Sequence, residues 1–450
     1  MNLLHFLRVK TLFFSLLVGA VTSFAQTFHD VKPGETLYYI SRTYGVTVES
    51  IVNANPGLSA QSLRAGSKIK IPTTVAAQAP SPARQGTAVQ QVPAQSLPGA
   101  TNAVVLLPMS AEGVEGERSI EFYRGFLLAA QKLANEGQRI NVFAYDERLD
   151  EQNFSSTVEK LRQNGAQLII GPVYPAHFQR LATLAREQRT RLVIPFYSKA
   201  EQVNTNPYVY LVNTPEKFEM EYTTDLFLKT FKNVNVAFMH IGSAGEQPFM
   251  QYLRSRLQAR GYSVTEFSYE APLEQMRSAA SDKRPTVVIP DAGDADALSK
   301  VLAKMEGFKK FYPQYDLRLF GYEAWLNNLE PAVANRLHAA NAYVPTGSYC
   351  NLYDPVTLAF NEAYVRAYGE EPLNVTPRMG LLGYDVALHM LTGIAAYGAD
   401  FCTQSSEAPL LQTQLRFQRV EQGGGLVSNS LFFIHFRTDG QIERLAAKKR

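Results

Sequence analysis

Short apolar runs separated by amphipathic stretches fill the chain from Asn102 onward, and no other feature restricts its fold as much. AVVLLPM, INVFAYD, QLIIGPV, RLVIPFY, VNVAFMHI, TVVIPD and LRLFGYE each read as a buried strand. Between them lie segments such as SIEFYRGFLLAAQKLANEG, in which Phe122, Phe126, Leu127 and Ala130 recur at helical spacing. Strands this short and apolar need cover on both faces, which the intervening helices can supply. The pattern predicts an α/β architecture with parallel sheets. Roughly 350 residues exceed what one apolar core holds comfortably, so two lobes are expected.

The preceding residues are of other kinds. Residues 1–25 read as a secretory signal peptide: Arg8 and Lys10 are basic, TLFFSLLVGAVTSFA is apolar, and Ser23-Phe24-Ala25 offers small residues for cleavage. Cleavage after Ala25 would leave Gln26, not a cysteine, as the new terminus, and the apolar run is shorter than the roughly 20 residues of a membrane span. An exported protein without a membrane anchor is expected. Residues 73–101 are rich in Ala, Gln, Pro and Ser, with Arg84 the only charge. Such a composition buries too little apolar surface to offset chain entropy, and reads as a disordered linker reaching about 30 Å.

Removing Arg8 and Lys10 lowers the formal charge from +3 to about +1, which argues against nucleic acid as a partner. The two cysteines, Cys350 and Cys402, could pair in an oxidising compartment, or remain as buried thiols.

Between these flanks, residues 28–72 read as a small βααβ module. Val31 opens a strand that Lys32-Pro33-Gly34 breaks, and Thr36 can cap a helix with Leu37, Ile40 and Tyr44 on one face. Thr47 can cap a second helix with Val48, Ile51 and Val52 inward. Asn55-Pro56-Gly57 stops that helix, and Lys68 to Ile71 form the last strand. The combination VKPGETL, NPGL and GSKIKIP resembles a LysM domain, a family that binds N-acetylglucosamine-containing glycans such as peptidoglycan. The resemblance implies a glycan groove built by Gly34, Glu35, Thr36 and Leu37 on one side and Asn55, Pro56, Gly57 and Leu58 on the other. Each of these residues could equally serve only to make a turn.

Residues 102–450 resemble the type I periplasmic-binding-protein superfamily, in its branched-chain-amino-acid receptor branch. AVVLLPMS before a long helix, QLIIGPV, GYDVALHMLTGIAAYG and SNSLFFIHFRTDGQ carry the likeness. It implies two Rossmann-like lobes around a ligand cleft, with YVYLVNTP near Val212 and AYVPTG near Val344 as crossings. Relatives that hold amino acids bind the carboxylate at helix N-termini of the first lobe. This chain departs from their pattern at Gly171-Pro172-Val173-Tyr174-Pro175-Ala176, where alanine replaces a hydroxyl residue. Ser110, Tyr174, Ser198 and Tyr384 are the cleft candidates, with capping or ordinary packing as the alternative for each.

No catalytic or metal-binding pattern appears. The seven histidines are scattered without ligand spacing, and His389 reads as a core or surface residue. Neither cysteine has a recognisable nucleophile context. The expectation is a non-enzymatic protein of the periplasm or cell envelope, without cofactor or metal. Its partners would be peptidoglycan glycan strands and an unknown small molecule or envelope protein. The alternatives are the substrate-binding receptor of an ABC-type amino acid transporter and a regulator of peptidoglycan synthesis.

Overall fold

A computed structural model of the chain describes residues 27–31, 40, 44, 48–56, 58, 66–72, 99–148, 150–242, 248–327, 329–352, 354–375, 377–404 and 410–446. The signal segment 1–25 and all but the last three residues of the linker lie outside them. Two compact units divide between Gln85 and Gly86.

In the first unit β1 (Thr27–Asp30) and β2 (Lys68–Ile71) form an antiparallel pair, Thr27 opposite Ile71. Helix α1 (Val48–Ala54) packs on it. Ile40 and Tyr44 are also helical. Val31, Ile40, Ile51, Ile69 and Ile71 make the core. The strand precedes Val31 rather than starting there, and Tyr44 does not join the inward face. It stays exposed and meets His29 at 3.0 Å.

Among its described residues, the second unit contains two seven-stranded sheets. In the first lobe the order is β13-β14-β7-β6-β5-β3-β4. The strands are β3 (Thr101–Leu107), β4 (Ile140–Asp146), β5 (Leu168–Ile170), β6 (Arg191–Ile194), β7 (Val209–Leu211), β13 (Phe417–Arg419) and β14 (Leu426–Ser428). Only β13 runs antiparallel to its neighbour. Alternate residues of β3 serve opposite faces, as the pleat requires. Ala103, Val105 and Leu107 meet α2 (Val114–Asn135) and α11 (Met379–Tyr397). Val104 and Leu106 meet α3 (Glu151–Gln163) and α4 (Pro175–Gln188). Helices α2 and α11 touch backbone to backbone. A Cβ added at Gly125 would lie 1.8 Å from the Gly380 carbonyl oxygen, and one at Gly383 would lie 2.0 Å from that of Phe122.

The second lobe has the order β16-β15-β12-β11-β10-β8-β9. It comprises β8 (Asn235–His240), β9 (Ser263–Ser268), β10 (Thr286–Pro290), β11 (Leu317–Phe320), β12 (Ala342–Thr346), β15 (Phe432–Phe436) and β16 (Ile442–Ala446). Helices α5 (Glu216–Thr230) and α6 (Pro248–Gln258) cover one face. Helices α7 (Leu273–Ala279), α8 (Ala295–Phe311) and α9 (Pro331–Ala339) cover the other. Helix α10 (Pro355–Tyr368) returns to the first lobe, where Tyr364 packs with Leu381.

Three segments join the lobes: β7 to α5, β12 to α10 and β14 to β15. The third, through Asn429–Leu431, adds to the two crossings expected near Val212 and Val344. Thr214 Oγ1 in the first donates to the Ser428 carbonyl before the third at 2.7 Å. Each crossing leaves from a strand's C-terminal end and enters an element that begins beside the C-terminal edge of the other sheet. The two C-terminal edges therefore face one another.

The structure corrects the disulfide option: Cys350 and Cys402 are free. Cys350 lies in the crossing after β12, 3.8 Å from Thr357 Oγ1. Cys402 follows Phe401, whose carbonyl accepts from Arg191 at the opposite, N-terminal edge of the first-lobe sheet. That separation is beyond disulfide reach.

Candidate functional site

On the first unit, Gly34, Glu35, Thr36, Leu37 and Gly57 of the expected glycan groove lie outside the described residues. Asn55 is occupied internally. Its Nδ2 donates to the carbonyls of Ile51 and Lys70, each at 2.7 Å, and its Oδ1 accepts from the Lys70 amide at 2.8 Å. The side chain thus ties the end of α1 to β2. Pro56 is exposed, and Leu58 packs against the unit's core.

The cleft walls are the facing C-terminal sheet edges. On the first lobe, Ser110 follows β3, and its amide donates to Asp146 Oδ1 at 2.9 Å. Its hydroxyl donates to the second oxygen, which also accepts from Arg148 Nε at 2.8 Å. Tyr174 caps α4 and its hydroxyl donates to Glu115 at the start of α2, at 3.1 Å. Partial burial, that hydrogen bond and the charges of Glu115, Glu147 and Asp146 push the Tyr174 hydroxyl up to about 12. Ser198 lies half-buried in the loop after β6. These three come together along one edge. Tyr384 does not: it packs edge-on against Phe360 at 5.3 Å, between helices, with its hydroxyl pushed up to about 12 by burial first.

Residues not singled out from the sequence complete the walls. Glu147 follows β4, and its side chain is 0% exposed. It accepts from the amides of Val173 at 2.7 Å and Tyr174 at 3.1 Å, and pairs with His177 Nδ1 at 2.8 Å. His177 is stacked on Phe154 with ring centroids 3.6 Å apart. Across the opening, Asp291 follows β10 and accepts from the Ile241 amide at 2.8 Å. His240, at the end of β8, lies 3.3 Å from Asp291 and 3.0 Å from Glu266. Tyr322 donates to the Pro290 carbonyl at 2.6 Å, and burial raises its pKa. Glu219 on α5 is solvent-accessible yet crowded by protein. That crowding first, then the charges of Glu323 and Glu216, raises its pKa. An acid directly after an apolar strand, in INVFAYDE and TVVIPD, was the available sequence signal.

Two lobes joined by three crossings are the architecture that the family comparison also finds: residues 103–428 match the periplasmic binding protein model. The chain belongs to the periplasmic binding protein family. Residues 29–72 match the LysM domain. Both are families of binding proteins, typically extracellular or periplasmic. Among solved structures, a protein of Rhodospirillum rubrum described as a branched-chain amino acid ABC transporter is similar at 13% identity and a TM-score of 0.52. The match covers 77% of this chain and 100% of that one. A branched-chain amino acid ABC transporter periplasmic ligand-binding protein of Burkholderia xenovorans is 16% identical, with 77% and 94% coverage and a TM-score of 0.46. At such identities the likeness concerns the fold. No curated protein matches.

Proposed function

We propose that this periplasmic binding protein is an exported, non-enzymatic component of the cell envelope. Its LysM domain holds it on peptidoglycan through N-acetylglucosamine units, and its two-lobed domain captures a small ligand or an envelope protein. The observation that carries the reading is the union of a glycan-binding domain and a two-walled binding fold in one chain. A single LysM copy lacks the avidity of linked repeats, so binding is expected to be weak. The test is co-sedimentation of the full chain with purified sacculi, competed by N-acetylglucosamine oligomers. A full chain that stays in the supernatant at every sacculus concentration removes the anchoring half.

A second reading, the receptor of an amino acid transporter, draws support from the proteins that share the fold. It predicts saturable thermal stabilisation by one amino acid class. The occupancy of the Val173 and Tyr174 amides by Glu147 weighs against it.

A further inference from the structure

The start of α4 lies at the C-terminal edge of the first-lobe sheet. Helix amides at such an edge form a ready anion site. Here the two amides that lead into the helix, those of Val173 and the N-cap Tyr174, already serve a carboxylate that belongs to the chain. Glu147 takes the amides of Val173 and Tyr174 and the Nδ1 of His177, and none of its carboxylate side chain reaches solvent. The stack of His177 on Phe154 fixes the third partner. Tyr174 closes the front by donating to Glu115.

The opposite wall follows the same plan. Asp291, 5% exposed, takes the Ile241 amide and faces His240. In both lobes a buried acid beside a histidine consumes strand-end donors. Around them stand further carboxylates with donors of their own: Glu115 accepts from Tyr174, Asp146 from Ser110 and Arg148, and Glu323 from Thr346.

We propose that Glu147 determines the specificity of the cleft. By filling the first-lobe anion site, it excludes ligands that present a free carboxylate, amino acids among them. An entering carboxylate would have to expel Glu147 from its donors or share them with a second buried negative charge, and both are unfavourable. A ligand that presents an amine or an uncharged donor escapes this conflict, and Glu115, whose carboxylate accepts from Tyr174 alone among the described contacts, is the acceptor nearest the helix start. The inference deepens the binding role proposed for the two-lobed domain, and rests on that role for its ligand class.

Chemical rescue in the full chain tests it. Glu147→Ala leaves the amides and His177 facing a cavity that formate or acetate can enter. Unfolding of this variant is followed in sodium formate or acetate against sodium chloride at equal ionic strength. We expect the midpoint to rise saturably by about 2–4 °C once the anion exceeds its Kd roughly tenfold. Wild type and Glu147→Gln, whose sites remain filled, should not respond. An E147A chain that is no more stable, and refolds no better, in formate or acetate than in chloride overturns the proposal. So does a wild-type protein stabilised saturably by any free amino acid. A wild type unmoved by both amino acids and diamines counts against the cleft as a small-molecule site, and leaves the rescue to decide on Glu147.

Discussion

Asn55 shows how one side chain can hold a small module together. Three hydrogen bonds join it to α1 and β2, and a core of five buried aliphatic residues offers little to compensate for their loss. Asn55→Ala leaves the Lys70 amide and two carbonyls without those partners. The unit should lose about 1–3 kcal/mol, read from its denaturant midpoint by tryptophan-independent circular dichroism. Unchanged stability with lost sacculus binding would instead make Asn55 a glycan contact. The sequence placed Asn55 at the right corner of the module but left turn and ligand contact open. Its partner on β2 is 15 residues away in the chain.

At the scale of an element, α11 carries two buried titratable groups one turn apart with opposite shifts. Burial raises Asp385 to about 6, partly offset by the amides of Thr413, Leu411 and Gln412. Burial lowers His389 to about 4. Folded Asp385 holds a proton that the unfolded chain has released, so its contribution falls as pH rises from about 4 to 6. Folded His389 lacks a proton that the unfolded chain binds below about 6.5, so its contribution grows over an overlapping range. The two largely cancel. In His389→Leu only the first remains. Urea unfolding should therefore show its stability relative to wild type declining by about 3 kcal/mol from pH 4 to 6.5. A constant difference between the two proteins would show that His389 titrates normally in the fold. Helix α11 was legible from its apolar pattern, whereas β9 was not. As an edge strand with one buried residue among six, it lacks an apolar signature.

For the whole molecule, covalent and topological connections diverge. Three crossings join the lobes, and no disulfide links Cys350 to Cys402. Thiol titration of the unreduced chain in denaturant should count two thiols per molecule, and a count of zero would restore the bridge. The order of apolar runs foretold both parallel sheets, because strand and helix periods are local properties of the chain. The likeness to periplasmic binding proteins, rather than the runs themselves, located the first crossing, where β7 gives way to α5. The third crossing was hidden because β14 and β15 are short and adjacent, and only their assignment to different sheets separates them.

What the sequence determined by itself was the kind of object: a small βααβ module and a two-lobed parallel α/β domain, both written in spacing that each segment carries alone. What the tertiary structure decided was the character of the cleft. Ser110, Tyr174 and Ser198 gather at one edge because β3, β5 and β6 end there, while Tyr384 is held between helices. Glu147 meets its amide partners 26 and 27 residues further along the chain. An acid after a strand can be solvated, can bind a ligand or can fill a site of its own protein. The choice depends on which donors the folded sheet brings within hydrogen-bond distance, and those donors are distant in sequence.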